Sequence, residues 1–425
     1  MAIAVIGMLD EREEALQLIT DGIEKKGHRP LLIDISIGTG AITSSLKPSI
    51  TAEEIAVAGG TTMADIQAAL AKEREKASAG MAQGLGNKLL DLFQTGDLEG
   101  VIAIGGMTGT FISLTAMKRL PFGLPKLLIS SVTAMPAYAK KLAEFFGVRD
   151  ITVMHSVVDT VGYNPLVKSL MINGAGAICG MVEASEPPQK EKKRSVALTE
   201  FGFCDQCAQY VRERLEQSYN IISFHATGLG EKAAVDLVGQ GLFEAFIDLV
   251  PSGFSEYLLG GNRAAGDDRL DAGGRQGKPY ILTPCGFDMI SCGPIQRRDE
   301  GDPLWTSRKL AQRKLFLQDA MRVQARTSAE EMVLVARAVA DKLNNHTEKK
   351  SIKFLIPTRG FSSLSGEGGV LYDPEVDAAF LVELKNRLDP DIKIVEVDAH
   401  INTPAFAEAV VTALKDSFND RTDAP

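Results

Sequence analysis

The sequence is short of the features that assign a protein quickly. It has no unbroken run of about 18 apolar residues, the length a membrane helix needs, so no membrane association is expected. Positive charge is in deficit. The 46 Lys and Arg stand against 55 Asp and Glu, and the net charge of −9 repels a phosphate backbone, so nucleic acid is not an expected partner. Cysteine is sparse and odd in number: Cys179, Cys204, Cys207, Cys285 and Cys292 are five in 425 residues. That argues against a disulfide framework and for a reducing, cytoplasmic setting. The opening MAIAVIGML is apolar but has no basic leader and no cleavage site, and reads as a strand.

What is present is an ordinary globular mixture, 45% apolar and 24% charged. A chain of 425 residues exceeds one core and fits two domains of about 200 residues. Short apolar runs alternate with longer amphipathic stretches. In the first half the runs are 2–9, 30–36, 100–106, 126–131 and 151–156. In the second they are 195–202, 220–228, 245–250, 279–286, 351–357 and 392–398, with helices at 329–344 and 404–418. This alternation predicts βαβ units and a parallel sheet in each half, an α/β fold repeated in tandem. Between the halves, EPPQKEKKR (186–194) holds two prolines and six charges in nine residues and reads as a linker. The expected domains are therefore 1–185 and 195–420. The charge-rich stretch 293–327 fits neither pattern and is expected to be a surface excursion or an arm to a partner chain.

Ligands of open parallel sheets bind beyond the carboxyl ends of the strands. Five segments there hold chemistry-bearing residues. GGMTGT supplies Gly105, Gly106, Thr108, Gly109 and Thr110 between a strand and a helix, where glycines admit a phosphate to free helix N–H groups and the helix dipole. No Gly-Lys-Ser/Thr follows, so it is not a P-loop; a bare threonine-capped turn has the same sequence. HATGLG repeats the logic with His225, Thr227, Gly228 and Gly230. His225 is a candidate acid or base, or a plain structural hydrogen-bonder. DISIGTG places Asp34 at a strand end, where an acid can bind ribose hydroxyls, followed by Gly38, Thr39 and Gly40. ISSVTAMP offers the hydroxyls of Ser130, Ser131 and Thr133, one of which helix capping alone explains. PTRGFSS presents Arg359, a carboxylate or phosphate clamp, or a salt-bridge partner of Asp373 or Glu375.

Other motifs point away from chemistry. Cys204-Asp-Gln-Cys207 lacks both a thioredoxin context and a second ligand pair for zinc. His28, His155, His346 and His400 form no metal spacing, and no metal site is expected within the chain.

Taken in order, GGMTGT, HSVVD (155–159), NGAGAICGM (173–181), FHATGLG, CGFDM (285–289), DPE (373–375) and AHINTPAFA (399–407) resemble the tomato mosaic virus resistance protein-like ATP-binding domain family, which also has many bacterial members. The pieces run through nearly the whole chain. The resemblance implies two Rossmann-like subdomains in tandem, ATP binding in some members, and self-association as a dimer or larger homo-oligomer. It also implies a separate TIM-barrel protein as a partner, because a plant member carries such a barrel as a further domain. Two positions depart from the pattern. Gln318-Asp319 stands where relatives show His-Asn, and Cys204 where they show a hydroxyl residue.

The leading expectation is a nucleotide-binding protein taking ATP with Mg²⁺. Its phosphates would lie on the 105–110 loop, helped by 38–40 and 130–133, with adenosine near Asp34. The missing P-loop lysine argues against efficient hydrolysis. A second expectation is an enzyme for a small anionic oxo-acid or acyl metabolite in a cleft between the domains, with His225 as acid or base and Arg359 as clamp. A third is a non-catalytic interaction subunit of a TIM-barrel partner.

Overall fold

Central strands such as Ala2–Gly7 and Gly100–Ile104 are apolar and buried on both faces, and such a strand is stable only when helices cover both sides. A computed structural model describes residues 1–70, 72–185 and 193–422. Residues 186–192 of the expected linker lie outside them. The chain divides into two compact units, Met1–Gln189 and Lys190–Pro425.

Unit 1 runs β1 (Ala2–Gly7), α1 (Leu9–Lys25), β2 (Arg29–Asp34), α2 (Ala52–Ala58), α3 (Met63–Leu70), α4 (Arg74–Gln94), β3 (Gly100–Ile104), α5 (Met107–Met117), β4 (Lys126–Ser130), α6 (Ala139–Phe146), β5 (Thr152–His155) and α7 (Pro165–Glu183). Its five strands are parallel in the order β2-β1-β3-β4-β5. Alternate residues of β1 enter opposite cores: Ile3 and Val5 pack with α1 and α7, Ala4 and Ile6 with α4 and α5. Against the sequence expectation, α7 is long and apolar enough to cross a membrane. It passes on average hydropathy although Lys168 and Asn173 interrupt the run. Its buried stripe of Val167, Met171, Ala175, Ile178 and Val182 belongs to the α1-side core.

Unit 2 runs β6 (Arg194–Glu200), α8 (Asp205–Leu215), β7 (Tyr219–His225), α9 (Leu229–Gly239), β8 (Ala245–Asp248), α10 (Ser252–Leu259), β9 (Tyr280–Leu282), β10 (Met289–Gly293), α11 (Gln296–Asp299), α12 (Pro303–Ser307), β11 (Leu315–Asp319), β12 (Arg322–Arg326), α13 (Ala329–Asn344), β13 (Ile352–Pro357), α14 (Pro374–Arg387), β14 (Lys393–Val397) and α15 (Pro404–Thr422). The main sheet is parallel in the order β14-β13-β9-β8-β6-β7. Helices α8 and α15 cover one face, and α9, α13 and α14 the other. The stretch 293–327 is no detached arm. It forms most of an antiparallel sheet, β10-β12-β11, and sends Trp305 and Leu310 into the unit 2 core. Its β11–β12 hairpin is exposed at Leu317 and Met321 and carries Gln318-Asp319.

Two buried ionic networks hold unit 2 together. In the first, Arg269 donates to both oxygens of Asp248 (2.8 and 2.7 Å) and to Glu231 (2.9 Å). Tyr280 and Thr199 complete Asp248 at 3.0 and 2.7 Å. Arg269, Asp248, Glu231, Tyr280 and Thr199 are all fully buried. The two carboxylates keep the guanidinium charged against the cost of burial. In the second, Arg326 meets Asp377 of α14 at 2.5 Å. Burial there pushes the Asp377 carboxyl up to about 7, against the opposing pull of Arg326.

Removing one partner of such a network strands the others without compensation. Arg269→Ala is expected to cost about 3–5 kcal/mol in denaturant unfolding; a loss within the range of an exposed surface substitution would contradict the reading. Asp377 gives a pH signature. Its folded carboxyl holds a proton more tightly than the unfolded chain does, whose ordinary value is 3.8. The stabilisation is therefore full at acidic pH and is lost as pH rises through about 7. The unfolding free energy of the protein relative to Asp377→Asn is expected to fall between about pH 4 and pH 7, and a flat difference would refute the assignment.

Candidate functional site

The strand order of unit 1 creates a crevice. The chain leaves β1 for β2 on one side and returns past β1 to β3 on the other. The loops after β1 and β3 therefore run to opposite faces and part between the two strand ends, the place where such sheets bind ligands. The loop after β3 is Gly105-Gly106, and Gly106 is the N-cap of α5. No side chain caps this helix, and its first turn has no acidic residue. A Cβ on Gly105 would lie 2.7 Å from the backbone of Gly109 and Thr110, so only glycine makes this turn.

The loop after β1 brings a residue that the sequence reading passed over. Arg12 is only 4% exposed and sits at a non-helical kink in α1 (φ −134°, ψ 35°). Its guanidinium lies against Gly106, with Nη2 2.7 Å from where a Cβ would be. Nε donates to Thr160 at 3.0 Å. Glu11 pairs with Nη1, and the exposed Asp159 lies 3.6 Å from Nη2. A buried cation thus faces an uncapped helix N-terminus. The signal in the sequence was position: Arg12 falls five residues after the end of β1, in the first turns of the following helix, in the run DERE.

The acidic side of the crevice is equally defined. Asp34 Oδ1 accepts from Leu9 N at 3.2 Å and from Ser36 N and Oγ at 2.9 and 2.5 Å. Burial raises its carboxyl, with the Ser36 hydrogen bonds opposing. Gly40 N donates to Asp10 Oδ2 at 2.9 Å and Thr39 Oγ1 to Glu11 at 3.2 Å, while Gly38 turns with φ +83°. The 38–40 segment is therefore bound to carboxylates, a poor setting for an anion and a correction to its expected role. Asp10 Oδ1 is buried and has no hydrogen-bond partner among the described residues.

Thr108 is half-buried at the start of α5, and Gly109 is buried. Thr110 and Ser130 are fully buried and hydrogen-bond each other at 2.7 Å. Thr110 also donates to Gly105 O at 3.1 Å. These two hydroxyls tie the β3 and β4 loops together and are spent as ligand donors, a second correction. Ser131 and Thr133 are half-buried, and Thr133 lies 3.5 Å from His155 Nδ1.

In unit 2 the expected anion cradle is filled from within. Gly228 is the N-cap of α9 at φ +84°, and its N–H donates to the buried Glu231 at 3.2 Å. Gly230 packs on the His225 carbonyl, and Thr227 is exposed. The amide that opens α9 is therefore already satisfied by a carboxylate of its own helix. His225 is exposed at the end of the edge strand β7, its ring 5.6 Å from that of Phe201. Arg359 is exposed beyond β13 and forms a bidentate pair with Asp398 at 2.6 and 2.7 Å, not with Asp373 or Glu375. Asp373 pairs with Lys314 instead. Strands β9, β8 and β6 separate β13 from β7, a span of roughly 19 Å at the usual strand spacing. His225 and Arg359 therefore do not converge on one small substrate.

Unit 2 does carry a cleft of about 380 Å³ lined by Gly202, Asp205, Gln206, Ser363, His400 and Asn402. Both nitrogens of His400 are engaged: Nε2 donates to Ser362 O at 2.9 Å, and Nδ1 accepts from Asn402 N at 3.2 Å. Asn402 accepts from Cys207 N at 3.2 Å and so caps α8 from a distance. His400 is therefore not free to act as a base on Ser363. The five cysteines are buried free thiols. Burial pushes Cys207 well up, and a hydrogen bond to Cys204 together with burial does the same for Cys285. Among the described residues no group of three or more His, Cys, Asp or Glu is placed to hold a metal.

Two family models match the chain. The N-terminal domain of the uncharacterised protein family UPF0261 matches residues 1–187 and its C-terminal domain residues 193–418. A UPF0261 protein of Clostridium tetani (strain Massachusetts / E88) is 32% identical over 414 residues, spanning 97% of this chain and 98% of the relative. One of Rhizobium meliloti (strain 1021) is 31% identical over 421 residues, spanning 98% and 99%. The ToMV resistance protein Tm-1(GCR237) of Solanum lycopersicum is 31% identical over 352 residues, 80% of this chain and 44% of the plant protein. Matches to both family models, which together span nearly the whole chain, and end-to-end similarity to the bacterial relatives make this chain a member of the UPF0261 family.

Proposed function

We propose that unit 1 binds the phosphates of a nucleotide, ATP with Mg²⁺, on the Gly105–Thr110 loop. The observation that carries this reading is the buried Arg12 guanidinium set against the uncapped N-terminus of α5. Open helix amides and a desolvated arginine are two donors suited to the same anion. Arg12 is now balanced by Glu11 and, more loosely, by Asp159 at 3.6 Å. A phosphate would displace Asp159, which is exposed and costs little to release.

The residues present fit Mg²⁺ as a companion of the phosphates and not as a resident ion. Mg²⁺ is usually held by one or two carboxylates together with substrate phosphates. The unpartnered Asp10 Oδ1 is the oxygen available for that contact. The ion would neutralise phosphate charge; the protein's own part is to hold and orient the phosphate chain. With no P-loop lysine, the site is better suited to binding than to rapid hydrolysis.

Calorimetric titration with ATP and Mg²⁺ is expected to show a dissociation constant on the order of micromolar, about −8 kcal/mol. Arg12→Ala should weaken it about tenfold or more, with thermal unfolding used to verify the fold. His225→Ala should leave it unchanged. No heat and no thermal shift with the unaltered protein would reject the reading.

A further inference from the structure

Unit 2 carries an opening that the nucleotide reading does not use, the cleft of about 380 Å³ at the carboxyl ends of its parallel strands. That volume lies in the range of small-molecule sites, roughly 300–1,000 Å³. Its walls come from the loops after β6, β13 and β14, and one atom fastens all three. The Phe203 carbonyl accepts from Ser363 N at 2.9 Å and from Asn402 Nδ2 at 3.1 Å. The β13 loop is held a second time by Ser362 Oγ, which donates to the buried Asp288 at 2.5 Å. A cleft framed in this way is preformed, and a ligand does not have to order it.

The polar side chains of the lining fall into two sets. His400 and Asn402 are spent on the frame. Asp205, Gln206 and Ser363 are exposed, and their side chains make no hydrogen bond or ion pair with any described residue. Asp205 brings a carboxylate, and no lysine or arginine lines the cleft to offset it. An anion would be repelled there. An apolar ligand, or the apolar face of a sugar ring, would find no aromatic or aliphatic side chain in the lining. The unspent groups offer three kinds of acceptor: the Asp205 carboxylate, Gln206 Oε1 and Ser363 Oγ. A primary ammonium has one positive charge and three N–H donors, and matches that set in both charge and number.

We propose that this cleft binds the primary ammonium group of a small amine, with Asp205 as its counter-charge and Gln206 and Ser363 as the other acceptors. The proposal stands independently of the nucleotide site in unit 1.

Saturation-transfer NMR titrations of the full chain with propane-1,3-diamine, propane-1,3-diol and malonate, at one ionic strength, test it. The diamine should bind with a dissociation constant on the order of millimolar, and the diol and malonate should not bind. Asp205→Asn keeps the shape and removes the charge, and should weaken the diamine about tenfold or more. Ser363→Ala removes a hydroxyl that holds no part of the frame, and should weaken it about threefold. Glu213→Gln removes the same charge from an exposed position farther along α8, outside the cleft, and should leave the diamine unaffected. Thermal unfolding verifies the fold of each variant. Diamine binding that Asp205→Asn and Glu213→Gln lower alike is diffuse surface attraction and overturns the proposal. Equal binding of the diol, or no binding of the diamine to the unaltered protein, overturns it as well.

Discussion

The reversal of strand order at β1 is the constraint on which the rest of unit 1 depends. A parallel sheet built outward in one direction would send every crossover helix to the same face. Doubling back past β1 places α1 and α7 on one face and α4 and α5 on the other. The loops after β1 and β3 are thereby driven apart at the strand ends. Two features of this unit follow: Arg12 arrives on the α1 side and the glycine turn on the α5 side.

Unit 2 repeats the same order, with β7, β6, β8 and β9 standing where β2, β1, β3 and β4 stand in unit 1. The outcome is opposite. Its strand ends are filled by its own charges, with Asp248 and Arg269 fully buried and Glu231 seated on the amide that opens α9. Unit 1 keeps an uncapped helix start and a cation beside it. In unit 2 the turn that opens α9 follows β7, the counterpart of β2, and its amide is satisfied internally by Glu231. One strand order thus yields a crevice in one half and a buried ionic plug in the other, and the difference lies in a few side chains.

The sequence showed the architecture well, because strands buried on both faces read as continuous apolar runs. All eleven expected runs are strands of the two main sheets. The excursion 293–327 was not legible, because its strands are short and one of them, Arg322–Arg326, is polar or charged at three of its five positions. The candidate site was legible in part. Gly105 and Gly106 stood out because a glycine pair between a strand and a helix is visible in the sequence itself. Arg12 did not, since a charge in an amphipathic helix is ordinarily solvated, and only the kink at that position turns it inward. HATGLG misled for a physical reason. A glycine turn before a helix accepts any carboxylate, and three residues after Gly228 the chain supplies its own in Glu231.

The central claim is that one of two similar strand-to-helix turns is open to an anion and the other is closed. Hydrogen–deuterium exchange of the full chain with and without ATP and Mg²⁺ tests this directly. Slower exchange is expected across residues 105–110 and around Arg12, with no change across 225–231. Protection at 225–231, or protection absent from 105–110 under conditions where the nucleotide is bound, would contradict it.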